Sequence, residues 1–198
     1  MKPFKLVFAL LLACNILSFA APDDKDRSRR ARIDEFISNY KAAYQKEEIE
    51  YIRDFFSNDA LIITETGKLL HAGSEMVPNS TKSRPYKTVI EDKKKYIERL
   101  NHYFLTSGGI TLGISDPIIT RHPKYTEIYG INFFQVWEDI GGEKNLEKDM
   151  PGYIFLMIDF KESETEPIIH VRTWQPKQNI SKPTDKYTIT DFRIISSK

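Results

Sequence analysis

Three residues able to hold a small molecule stand in alternation near the end of the chain, in Ile169-His170-Val171-Arg172-Thr173-Trp174. On a strand, His170, Arg172 and Trp174 share one face. A guanidinium there can grip an anion as a fork, and an indole can wall an aromatic ring. The plainer reading is the exposed face of a half-buried strand, although an exposed tryptophan is uncommon. Upstream, Asn132 shares a face with Phe134, while Gln135 shares one with Phe133 and Trp137. Either amide could line a binding pocket or simply bond within the fold. His102 adds an imidazole on a helical stretch. The other histidines, His71 and His122, are scattered, and no HExxH or His-x-His spacing suggests a metal site. Gly73-Ser74 lacks the glycine pattern of a nucleophile elbow, and no glycine loop cradles phosphate. Asn79-Ser80-Thr81 and Asn179-Ile180-Ser181 match the N-glycosylation pattern, which matters only in a eukaryotic secretory route. No cofactor is implied.

The elements that must position these groups follow from periodicity. Ile33, Phe36, Ile37, Tyr40 and Tyr44 make one helical stripe. A short second helix turns Ile49, Ile52, Phe55 and Phe56 inward, and Ser57-Asn58-Asp59 ends it. Ala60 to Thr64 reads as a strand, with Leu69 to Ala72 pairing back on it as a hairpin. A third helix is predicted from about Thr88 to Leu105, with Tyr96, Ile97, Leu100, Tyr103 and Phe104 buried and Lys93-Lys94-Lys95 in solvent. Ser107-Gly108-Gly109 stops it. After Gly109 everything reads as strand and turn: Ile110 to Thr120, an edge or bulged strand because of Asp116-Pro117, then Tyr125 to Glu138, Tyr153 to Phe160, Pro167 to Gln175 and Tyr187 to Ile195. Strands in succession pair as an antiparallel meander. The class is α+β: three N-terminal helices packed on an antiparallel sheet of five to six strands.

Residues 1–20 stand apart. Lys2 and Lys5 precede an apolar run from Leu6, and Ser18-Phe19-Ala20 offers a cleavage site, the pattern of a secretory signal. Residues 21–32 are charged and read as a flexible lead-in, and 33–197 as a single domain. The expected location is therefore periplasmic or secreted. Leu11-Leu12-Ala13-Cys14 resembles a lipoprotein box, which would instead lipidate Cys14 and anchor the chain at the outer membrane. Cys14 is the single cysteine, so the chain after residue 20 has no thiol and no cysteine metal site. That part carries 27 basic and 28 acidic residues, a net charge of −1 that offers nothing to a nucleic acid.

The element order, with Phe36-Ile37-Ser38-Asn39-Tyr40-Lys41-Ala42-Ala43-Tyr44 and Phe55-Phe56-Ser57-Asn58-Asp59-Ala60, resembles the nuclear transport factor 2-like superfamily over about Ile33 to Gln175. Tyr129-Gly130-Ile131, Gly152-Tyr153-Ile154-Phe155-Leu156 and His170-Val171-Arg172-Thr173-Trp174-Gln175-Pro176 look like exported bacterial members of no assigned activity. The resemblance implies a cone with an open mouth that takes small apolar ligands, and a homodimer through the outer sheet face. Tyr153 to Phe160 fits the latter, being apolar on both faces.

The resemblance to the isomerase branch of that superfamily implies three groups: a helix tyrosine, a strand carboxylate as base and a protonated aspartic acid. Tyr40, 20 residues before Ala60, matches the first, and Asp159 resembles the third. The base position falls on Thr64, which cannot abstract a proton; Glu65 is adjacent but points to the opposite face. A phenol and a neutral carboxylic acid can donate two hydrogen bonds to a developing oxyanion. The plainer readings are a core tyrosine with a wet hydroxyl and an aspartate that starts the Lys161-to-Glu166 turn. With the carboxylate missing at Thr64, the expectation is a non-catalytic domain that holds a small hydrophobic ligand or docks a protein partner. The alternative is an isomerase or dehydratase in which Tyr40 and Asp159 stabilise the oxyanion and Glu65 or His102 is the base.

Overall fold

A computed structural model describes residues 23–65, 88–140 and 151–177. Three helices, α1 (Asp24–Gln45), α2 (Ile49–Asp54) and α3 (Lys93–Thr106), pack on one sheet of six strands. The strands are β1 (Phe56–Glu65), β2 (Thr88–Asp92), β3 (Ile110–Arg121), β4 (Ile128–Asp139), β5 (Gly152–Asp159) and β6 (Ile168–Pro176). Their order across the sheet is β2-β1-β6-β5-β4-β3. Among the described residues, no helix is long and apolar enough to cross a membrane.

Helix α1 starts nine residues before the expected Ile33. The charged stretch read as flexible is ordered because its charges find partners. Asp23 caps the helix by accepting from Lys25 N, and Asp24 and Asp26 sit in the first turn, where the helix dipole favours them. Arg29 is buried and donates both fork bonds to Glu164 at 2.8 Å, with a third to Thr126 O at 3.0 Å. Asp26 receives Arg30 at 2.9 Å and the hydroxyl of Tyr129 at 2.8 Å.

Three further corrections concern the strands. β1 begins at Phe56, which was expected at the end of α2. Thr88–Asp92, expected as the first turn of the third helix, is strand β2 and pairs antiparallel with β1 from Leu61↔Asp92 to Glu65↔Thr88. Asp92 is the N-cap of α3 and accepts from Lys95 N at 2.8 Å. The sheet is not wholly antiparallel either: β3 to β6 form the expected meander from one edge, which lays β6 beside β1 running the same way. The expected hairpin strand at Leu69 to Ala72 and the strand at Tyr187 to Ile195 lie outside the described residues. Edge strand β3 is irregular at Asp116-Pro117 as expected: its register shifts between Ser115 and Ile118, and Asp116 adopts φ 54°.

One sheet face meets the helices. It carries Ile62 on β1, Leu112 on β3, Tyr129, Ile131 and Phe133 on β4, Ile154, Leu156 and Ile158 on β5, and Ile169 on β6, all buried. Ile33, Phe36, Tyr40 and Tyr44 of α1 and Tyr96, Ile97 and Leu100 of α3 close over it. On the outer face of β5, Phe155 is already 6% exposed within the single chain, while Tyr153 and Met157 are half-buried.

Candidate functional site

Arg172 is placed by register. It stands opposite Ile62 on one side and Leu156 on the other, both core residues, so its side chain enters the space between sheet and helices. The expectation of an exposed strand face is overturned: Arg172 is 6% exposed and Trp174 packs against the core. Arg172 Nε donates to the hydroxyl of Tyr40 at 3.3 Å, and its guanidinium lies 5.2 Å from the ring centre of Tyr96. Burial works against the charge, but the phenol oxygens of Tyr96, Tyr40 and Tyr44 outweigh it and hold the group above its ordinary value. The guanidinium is therefore always a cation.

The phenols come from the inward stripes of two helices. Tyr40 and Tyr44 are one turn apart on α1, with ring centres 4.5 Å apart. Tyr44 and Tyr96 share a hydrogen bond of 2.6 Å between hydroxyls. Burial first, then the neighbouring phenols, raises the Tyr44 pKa well above its usual value, and burial raises that of Tyr96. Tyr44 and Tyr96 are therefore neutral phenols at physiological pH.

Aromatic walls continue along the interior. The ring of Phe133 lies edge-on to Tyr40 at 6.0 Å, and the indole of Trp137 edge-on to Tyr44 at 5.7 Å. Trp137 Nε1 donates to Tyr103 Oη at 3.0 Å. The indole of Trp174 lies against Gly152: a Cβ at that position would stand 2.5 Å from the indole and 2.6 Å from the Gln175 carbonyl oxygen. Gly152 is thus the slot that admits the indole. Opposite Gly152 on β4 is Gln135, 2% exposed on the interior face, and its Oε1 has no hydrogen-bond partner among the described residues.

The remaining expected residues lie elsewhere. Tyr40 and Asp159 do not converge. Asp159 follows core-facing Ile158, projects to the other face, accepts from Lys161 N at 3.1 Å and pairs with His170 Nε2 at 2.7 Å. His170 leaves the face of Arg172 and Trp174 because a bulge falls there: Met157 pairs with Val171 but Ile158 with Ile169. Glu65 is buried at 3% exposure but sits one residue beyond Thr64, the partner of Trp174, and so faces away from the helices. Asn132, opposite Phe155, is also on the outer face. His102 is exposed on α3. The interior therefore gathers Tyr40, Gln135, Trp137, Arg172 and Trp174, and adds Tyr44 and Tyr96, which were read only as core. The available signal was that their hydroxyls ride on inward helix stripes, where a buried phenol needs a polar neighbour.

Chemically, the interior offers a cation, phenol donors, one orphaned acceptor and aromatic walls. Among the described residues, the helix-facing side of the sheet also carries the carboxylate of Glu91, opposite Ile62 and paired with Arg99 of α3 at 2.6 Å.

The architecture is that of the nuclear transport factor 2-like cone. No protein-family model matches the chain, and no curated protein is similar to it in sequence. Solved structures share the fold. A scytalone dehydratase-like protein of Novosphingobium aromaticivorans aligns with a TM-score of 0.57 at 10% identity, over 78% of this chain and 87% of that one. A naphthalene 1,2-dioxygenase with indole in its active site aligns at 0.56 and 9%, over 82% and 84%. A Mycobacterium tuberculosis protein of unknown function aligns at 0.55 and 9%, over 84% and 80%. At these identities the likeness is one of fold.

Proposed function

We propose that this protein is an exported cone that binds a small hydrophobic molecule and does not transform it. The observation that carries this is the carbonyl of Gln135: a buried acceptor without a donor among the described residues, on an interior face flanked by Trp137 and Trp174. Leaving such a group unpaired costs roughly 1–3 kcal/mol, which a ligand's O–H or N–H would recover. The neighbours' names are compatible with an aromatic guest, since one holds indole and another is dehydratase-like.

The test uses the chain purified after export, screened with phenols, indoles and steroids. Trp137 and Trp174 are the chain's two tryptophans, so binding is read from their emission as well as from melting temperature. Saturation at a hundredfold excess over Kd adds about 2.7 kcal/mol of stability. Gln135→Leu should remove the preference for hydroxylated over methylated analogues. No shift with any compound would end the ligand reading and leave a protein partner as the object of search.

One observation favours a second reading. Arg172 and Tyr40 together could stabilise an oxyanion, as an isomerase or dehydratase requires. The described carboxylate on that side of the sheet, Glu91, is engaged by Arg99. Product formation from a bound ligand, followed by NMR, separates an enzyme from a carrier.

A further inference from the structure

We infer that the molecule taken into the cone is an acid, held by its carboxylate between Arg172 and Tyr40. This rests on the reading that the cone binds a small molecule, and it names the chemical class. Arg172 is more than nine-tenths buried, and its single hydrogen bond among the described residues is the one from Nε to Tyr40. Among the described residues no carboxylate forms an ion pair with it, in contrast to buried Arg29, which has the full fork of Glu164. A buried charge is ordinarily paired, because desolvation is otherwise uncompensated. The face of Tyr96 supplies part of that compensation, but it leaves the terminal N–H groups without acceptors.

Among the described residues those N–H groups meet no acceptor. Tyr40 Oη accepts from Arg172, and its own hydrogen has no acceptor among the described residues. Two kinds of donor thus converge: guanidinium N–H and phenol O–H. A carboxylate has two oxygens and no proton to offer, and it matches both donors while neutralising the buried cation. The walls from Tyr40 through Phe133, and from Tyr44 to Trp137, require the rest of the ligand to be apolar or aromatic. The geometry therefore selects a hydrophobic carboxylic acid over its neutral amide or alcohol.

The experiment compares acids with their primary amides on the purified exported chain. The panel is benzoate, 2-naphthoate, indole-3-acetate, octanoate and dodecanoate, each read by tryptophan emission and calorimetry. At least one acid should bind about tenfold or more tighter than its amide, the scale of a charged hydrogen-bonded contact. Arg172→Met should abolish that preference and leave the amide within about twofold; Tyr40→Phe should reduce it partially. Acids and amides that bind equally would overturn the inference and leave the neutral-ligand reading intact. Binding of neither class would overturn both. The ligand-free Arg172→Met protein supplies an independent check. Its melting temperature should equal or exceed that of the wild type, because a charge kept for a ligand is a cost in its absence. A clear fall would mean that the guanidinium serves the fold, and the inference would fail.

Discussion

At the scale of single residues, the interior is governed by two departures from ordinary burial, and each predicts a measurable change. Gln135 keeps an acceptor unpaired, so Gln135→Leu should stabilise the ligand-free protein by about 1 kcal/mol in urea unfolding. Gly152 is demanded by close approach. Gly152→Ala forces the indole of Trp174 or the backbone of Gln175 to move, a cost of roughly 1–3 kcal/mol, with a shift in tryptophan emission. If Gly152→Ala were neutral in both respects, the indole would not lie in that slot. The sequence showed much of this site: the alternation of Gln135 with Trp137 and of Arg172 with Trp174 placed both pairs correctly on shared faces. It could not show that Arg172 lacks a carboxylate partner among the described residues, since a missing partner is a fact of three dimensions. Nor could it show that a bulge removes His170, because one extra residue in a strand leaves no mark in an alternating pattern.

Among the elements, α1 is the one whose reading changed most. Apolar periodicity begins at Ile33, but the helix begins at Asp24, held there by ion pairs to residues more than 90 positions away. Periodicity reports on burial and is silent about such pairs. In the same way Val89 and Ile90 blended into the helical stripe that follows, although Asp92 was a legible cap. The ion pairs make the start of α1 sensitive to acid. The hydrogen bond from Arg29 lowers the Glu164 pKa, and for Asp26 the bonds from Arg30 and Tyr129 overcome the opposing effect of burial. Both carboxyls are more acidic folded than unfolded, so their contribution is complete above the unfolded values and lost as pH falls through the folded ones. The melting temperature should therefore drop from pH 5 to pH 3. The drop should be smaller in Glu164→Gln, whose melting temperature is already reduced at pH 5. An unchanged pH profile in that variant would show that the pair does not tie the helix down.

For the whole molecule, the helix-and-sheet class and the meander were legible because they follow from element order, and the position of β1 was not. Two molecular properties are predicted from the leader and the outer face. Expressed in a bacterium, the chain should be recovered from the envelope with Ala21 as its first residue; a lipidated Cys14 is the competing result, and mass spectrometry separates them. Sedimentation should show a dimer that Tyr153→Glu reduces to monomer, since Tyr153 stays half-buried on the outer face beside Phe134, 5.1 Å away. A monomeric wild type would remove the dimer from the account.

The parallel pairing of β1 with β6 also sets the order in which the molecule can be completed. The last described strand lies in the middle of the sheet, with β2-β1 on one side and β5-β4-β3 on the other. Until residues 168–176 leave the ribosome, the two groups of strands have no strand pairing between them. Such long-range closure makes folding slow. The sheet is therefore closed only after its central strand has been made.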